Sequence, residues 1–158
     1  MLRNKNLIPL SRQHQHALAL CVRIERAAPI EESQSPQWQE EMAEKFEGEI
    51  KIHFLAEEQI VFPAARNYVE LTPLVERLLA EHQFLRTFFT KAGLRELRAE
   101  EITDFARKLS EHIRTEEREL FERVQSLLPP QDMDRVGREL ELALGGTAES
   151  CRLPSPKQ

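Results

Sequence analysis

The chain is poor in everything that punctuates or staples a fold. Glycine occurs five times in 158 residues, so few sharp turns are available and a small number of long elements is favoured. Cysteine occurs twice, at Cys21 and Cys151, in no paired or metal-binding spacing. That excludes a disulfide framework or a thiolate metal site, and a reduced, cytoplasmic setting is the simplest expectation. No apolar run approaches the length of a membrane span. The first residues, Met1 to Pro9, carry charges but no apolar stretch, so no signal peptide is expected. A basic excess is missing too. The formal charge is −5, with lysines and arginines scattered among acids, which argues against a nucleic-acid surface.

What is present is helical. Apolar residues make up 41% and charged residues 31% of the chain, as in a soluble helical domain whose length suits one core. Four long segments carry a helical period. The first starts near Ser11, read as an N-cap after Pro9, runs through Leu10, Ala17, Leu18, Cys21 and Ile24, and fades by Pro29. Ser35-Pro36 reads as a helix start. The second segment extends from about Gln37 to Tyr68, with Pro63 expected to kink it or end its regular part. Thr72-Pro73 opens the third, through Leu78, Leu79, Leu85 and Phe89 to a stop at Gly93. The fourth begins near Ala99 and runs to Leu128. After Pro129-Pro130 a shorter amphipathic helix is marked by Met133, Val136, Leu140 and Leu144 and is expected on the outside. The fold class expected is all-α: an up-down-up-down antiparallel four-helix bundle with a short extra C-terminal helix. Residues 1–144 form one domain with its core in 8–128, and 145–158 read as a loose tail.

The five histidines are His14, His16, His53, His82 and His112. Around His53 the sequence reads His-Phe-Leu-Ala-Glu-Glu-Gln-Ile-Val-Phe, and around His112 His-Ile-Arg-Thr-Glu-Glu-Arg-Glu-Leu-Phe. This is one pattern, H-x-x-x-E-E-x-x-[VL]-F, repeated on the second and fourth segments, and it implies an internal duplication. Residues four apart share a helix face. His53 with Glu57, and His112 with Glu116, can therefore each present a nitrogen and a carboxylate to one point. Phe46, Ile50 and Ile60 flank the first pair; Phe105, Leu109 and Leu120 flank the second. Two carboxylates aimed into an apolar interior need positive charge there, and no lysine or arginine occupies the matching layer. A pair of metal ions supplies it. His82 and His112 lie at similar distances on either side of the turn near Arg95, and His14 and His53 do so about the first loop, so all four reach one height. His14 is preferred over His16 because it is in phase with Leu10, Ala17, Leu18 and Cys21. Glu58 and Glu117 read as supporting or solvated, Arg86 as turned outward, Cys21 and Phe84, Phe88 and Phe89 as core. No histidine has a glutamate three residues earlier and no His-Glu-x-x-His occurs, which sets aside ferritin-like and zinc-protease sites.

The opening Ser11-Arg12-Gln13-His14-Gln15-His16-Ala17-Leu18, the doubled His-x-x-x-Glu-Glu and Glu81-His82 between them resemble the hemerythrin HHE cation-binding family over about residues 8–128. The resemblance implies a four-helix bundle around a non-haem di-iron centre, bridged by carboxylates and an oxo or hydroxo group. Carried over by position, His14, His53, His82 and His112 would be terminal ligands, with Glu57 and Glu116 bridging. The oxygen carriers of the family have a second histidine one turn after the helix-three ligand, where this chain has Arg86. That departure speaks against reversible oxygen carriage and for a more open iron, unless Glu58 or His16 completes it. The function expected is a di-iron protein that binds or reacts with dioxygen, peroxide or nitric oxide, in sensing, detoxification or iron handling. Catalase- or peroxidase-like turnover and a metal-stabilised helical interaction module are the rival readings.

Overall fold

The computed structural model describes residues 1–149, and within them every regular element is helical. Of the loose tail expected over 145–158, residues 145–149 belong to the last helix and 150–158 lie outside the described residues. Helix α1 spans Ile8–Ala27. It begins before Ser11 because Pro9 sits in the first turn, where a missing N–H leaves no bond unmade. The Ser11 hydroxyl is therefore no cap. It donates instead to the Glu117 carboxylate at 2.7 Å. Helix α2 is one continuous run over 35–66. Regular turns at Ser35–Lys45, Lys51–Ala56 and Phe62–Arg66 alternate with π turns at Phe46–Ile50 and Glu57–Val61. Pro63 lies two residues past the second π turn, at the start of the regular stretch Phe62–Arg66, where its missing N–H falls beside a turn already out of α register.

Helix α3 spans Thr72–Gly93. It ends where Gly93 suggests, yet the left-handed residue is Arg95, at φ 60°. Glu96 N–H donates back to the Lys91 carbonyl at 2.9 Å, closing the last turn in the usual way for a left-handed C-terminal residue. Helix α4 runs through Ala99–Thr115, a π turn at Glu116–Leu120 and Phe121–Leu127. Helix α5, Pro130–Glu149, is as long as α1 and continues past Gly145, where the glycine pair suggests a stop. The loop before α4 is pinned to α2 by Gln39, whose side chain accepts from Leu97 N–H at 2.9 Å and donates to the Leu97 carbonyl at 3.2 Å.

Helix α1 packs on α2 and α4, and α3 packs on the same two, so the four long helices close a ring. The interior is divided. One apolar core gathers Leu20, Ile24, Met42, Ile50, Phe54, Leu85, Phe89 and Phe105. The other gathers Leu10, Val61, Phe62, Leu78, Leu120, Phe121 and Val124, and it takes in Met133, Val136, Leu140 and Leu144 of α5. The fifth helix is thus a cover on one core. Gly137 lets it approach the N-terminal segment, since a Cβ there would overlap the side chain of Asn6. Phe88 and Phe89 are core as expected, but Phe84 is half exposed; its position on α3 faces outward beside Lys108.

Phe105 is fully buried and packs edge-on to Phe89, with ring centres 5.1 Å apart. Phe105→Ala should cost about 3–5 kcal/mol of unfolding free energy, from lost burial plus a cavity. Urea unfolding of the metal-free chain measures it. A loss below about 1 kcal/mol would mean that this core is not packed as described.

Candidate metal centre

Between the two cores lies a polar layer. His14 on α1, His53 and Glu57 on α2, His82 on α3, and His112 and Glu116 on α4 are all buried there. The structure thus brings together all six residues singled out in the sequence. Two groups of ligand atoms lie within 4.8 Å of one another: His14, His53, Glu57 and Glu116, and Glu57, His82, His112 and Glu116. The two carboxylates belong to both.

Each carboxylate turns one oxygen to each histidine pair. Glu57 Oε1 lies 3.1 Å from His53 Nε2 and 3.5 Å from His14 Nε2, while its Oε2 lies 3.3 Å from His82 Nε2. Glu116 Oε1 lies 3.1 Å from His112 Nε2 and 3.5 Å from His82 Nε2, while its Oε2 lies 3.0 Å from His14 Nε2. These approaches are not hydrogen bonds. All four Nε2 atoms and all four carboxylate oxygens are buried without a hydrogen-bond partner. Adjacent ligands held about 2.1 Å from one ion at a right angle sit about 3 Å apart, which is the spacing seen.

The far side of each ring explains why Nε2 faces inward. His14 Nδ1 donates to Glu117 at 2.7 Å, His53 Nδ1 to the Gln13 side-chain oxygen at 2.8 Å, His82 Nδ1 to Glu58 at 3.2 Å and His112 Nδ1 to Glu81 at 3.4 Å. A proton held on Nδ1 leaves Nε2 as a lone pair, the form that binds a metal. Neutral imidazoles and anionic carboxylates are all acceptors, so nothing in the layer satisfies them except cations or added protons. The donor set therefore fits a metal site. Four imidazoles and two carboxylates with no sulfur suit iron or manganese among common metals.

The electrostatics say the same. Burial alone would raise the Glu57 and Glu116 carboxyls, but the surrounding imidazoles override it and hold both well below the usual range. Burial alone would lower His82; the carboxylates of Glu116, Glu57 and Glu58 reverse that and push it up to about 11. His14 and His112 are raised in the same way, against burial, chiefly by Glu116. Glu58 is held at about 2, against burial, by the His82 N–H and the Arg86 guanidinium. In the absence of metal, protons on the histidines would balance the carboxylates.

Beside the layer is a small cavity with about 10 Å³ of free space, at the lower limit for one water-sized molecule. Its walls combine Ala17, Ile50, Phe54, Leu109 and Ile113 with Gln13, Glu49 and the ligand-type residues His14, His53, His112 and Glu116.

Glu58 and Glu117 are hydrogen-bond acceptors for His82 and His14. His16 stays outside the layer, exposed and paired with Glu49 at 3.1 Å. Arg86 is not turned outward. It donates to both oxygens of Glu58 at 2.7 and 2.9 Å, because that carboxylate stands over α3 one turn beyond His82. The roles of Gln13 and Glu81 emerge only in three dimensions. Gln13 acts across helices, where no local spacing marks it; in the sequence Glu81 stands out only as the neighbour of His82.

Among the described residues no helix is long and apolar enough to cross a membrane. A comparison with protein-family models gives one described as the hemerythrin HHE cation binding domain, matching residues 9–124. Comparisons with curated proteins and with solved structures give no match.

Proposed function

The chain belongs to the hemerythrin HHE cation-binding family, and from that premise we propose that it holds two iron ions and uses them to bind or react with a small oxidant. The observation that carries this is the sharing of Glu57 and Glu116 between two histidine pairs, one oxygen of each carboxylate facing each pair. His14 and His53 would hold one iron, His82 and His112 the other, with both carboxylates spanning them. An up-down-up-down antiparallel order of the four long helices, supported by the short loops between them, sets one ligand-bearing turn from each at a common height.

The bound irons would supply exchangeable coordination positions and reversible one-electron steps. The protein supplies the rest. The Nδ1 acceptors orient the imidazoles, and the apolar walls of Ala17, Ile50, Phe54, Leu109 and Ile113 keep bulk water out while admitting a diatomic molecule or peroxide. With two histidines facing each ion and Arg86 engaged by Glu58, neither half has a spare nitrogen ligand in reach among the described residues. That supports a reactive or sensing iron, in preference to reversible oxygen carriage.

Metal analysis of iron-grown protein should give two irons per chain, with near-ultraviolet charge-transfer bands that change on adding azide or nitric oxide. One metal per chain, or bands indifferent to both ligands, would overturn the proposal. Adding peroxide separates the enzymatic variant, since repeated release of oxygen indicates turnover and a single stoichiometric bleaching indicates a sensor or scavenger.

A further inference from the structure

Two of the four histidines are braced from behind by matching sets of side chains that come from unlike places in the chain. On one side Arg86 grips both oxygens of Glu58 at 2.7 and 2.9 Å, and Glu58 accepts from His82 Nδ1. Phe54 stacks on the His82 ring, centres 4.0 Å apart and planes 14° apart, and the Arg86 guanidinium lies 5.5 Å from the Phe54 ring centre. On the other side Arg3 donates to Glu117 at 2.8 Å, and Glu117 accepts from His14 Nδ1 at 2.7 Å. Phe121 stacks on the His14 ring, centres 5.5 Å apart and planes 14° apart, with Arg3 5.4 Å from the Phe121 ring centre. The same four residue types recur, with one difference: Arg86 reaches both carboxylate oxygens through two nitrogens, while Arg3 reaches one Glu117 oxygen through Nη2 and gives its Nη1 to Gln125.

Their origins differ. Arg86 lies one turn after His82 on α3. One turn after His14 on α1 is Leu18, packed against a core, so that helix offers no cation there. The segment before α1 folds back to provide one. It is fastened independently of the histidine: Arg3 also donates to Gln125 Oε1 at 3.0 Å and to the Glu117 carbonyl at 2.8 Å, Gln125 donates to the Leu2 carbonyl at 2.9 Å, and Asn6 donates to Asp134 at 3.0 Å. The Arg3 side chain is 17% exposed.

We propose that Arg3 and Arg86 are equivalent positioning residues, one for each half of the metal centre, which makes the N-terminal segment a working part of that centre. The proposal rests on the two-iron reading. Arg86 fixes the plane of the Glu58 carboxylate with a two-nitrogen fork. Arg3 holds one Glu117 oxygen and the Glu117 carbonyl through Nη2 while its Nη1 is tied to Gln125. In both halves the carboxylate fixes the ring and strengthens the imidazole as a ligand.

The test uses ferrous iron alone, without oxygen, competed against a ferrous chelator, on the wild-type chain and on R3Q and R86Q. Each variant should keep one iron as tightly as wild type and hold the other about 10–100-fold more weakly, the usual cost of losing such support. The double variant should weaken both. R3Q should add little in an E117Q background, because Arg3 acts through Glu117, and R3K, which keeps the charge without the planar guanidinium, should recover part of the loss. The loaded variants should show shifted charge-transfer bands while helicity stays that of wild type. If R3Q does not fold, E117Q carries the test and must weaken one iron alone. A wild-type chain that takes up fewer than two irons overturns the two-iron reading and this proposal with it. A wild-type chain that takes up two, beside an R3Q that binds both as tightly or loosens both alike, overturns this proposal only.

Discussion

Glu116→Ala should leave the protein unable to retain either metal at micromolar iron. Glu116 faces His82 and His112 through one oxygen and His14 through the other, so its removal takes an anionic ligand from both positions at once. Glu57→Ala should act alike, since its oxygens also face both pairs. A histidine substitution, by contrast, removes a ligand from one position. The loaded protein should lose the stabilisation that metal binding confers, about 4 kcal/mol when free metal stands a thousandfold above its dissociation constant. Metal content after gel filtration and thermal melting with and without iron measure both effects. A Glu116→Ala chain that keeps two irons would remove Glu116 from the ligand set.

The metal-free and metal-loaded proteins should respond to pH in opposite directions above neutrality. In the metal-free fold His82 is raised from 6.5 to about 11, against burial, by the carboxylates it faces. His14 and His112 are raised as well. A histidine raised on folding contributes stability that is complete below its unfolded pKa and is lost as pH climbs through the folded one. The metal-free melting temperature should therefore fall from about pH 6.5 upward, each retained proton costing up to about 1.4 kcal/mol per pH unit. Glu57 and Glu116 carry the opposite sign. Both are depressed on folding from 4.5, so their contribution is lost as pH drops below that value. Metal must displace the histidine protons, so loading should release protons and tighten as pH rises. Melting of both forms between about pH 6.5 and about pH 8.5 keeps clear of Cys21, which burial raises from 9.0 to about 11. A flat metal-free profile, together with iron uptake that releases no protons, would show that the layer holds no such charge pairing.

Much of this centre is legible in the chain because its chemistry is local. His53 with Glu57 and His112 with Glu116 are each set by one helical turn, and the repeat marks them twice. His14 and His82 are placed by their phase on an apolar face. The features hidden from the spacing depend on the azimuth at which one helix meets another. Gln13 has the phase of a solvated residue beside His14 on α1, yet it meets His53 of α2 at 2.8 Å. Arg86 has the phase of an outward arginine, yet Glu58 of α2 stands over it. Ser11 has the position of a cap and serves Glu117 instead. The full reach of α5 is masked because Gly145 and its neighbour suggest a stop, while Val136, Leu140 and Leu144 seal a core that an end at 144 would already satisfy. Periodicity carries the coarse architecture; it does not carry the bracing of the imidazoles.

The π turns that begin at Glu57 and at Glu116 alter the angular relations within both repeats. In an unbroken α-helix the phenylalanine five residues after each glutamate would point about 140° away from it. A π turn absorbs one extra residue and rotates the next turn of helix back by roughly 100°. Phe62 and Phe121 are thereby swung inward and fully buried, 5.4 Å from the ring of His82 and 5.5 Å from that of His14. Straightening either turn at its present length would spin that aromatic floor out from under its histidine, whereas deleting one residue, which sets the phenylalanine four positions after its glutamate, would keep it there in an ordinary helix, so the motif's length and the shape of its helix carry their meaning together.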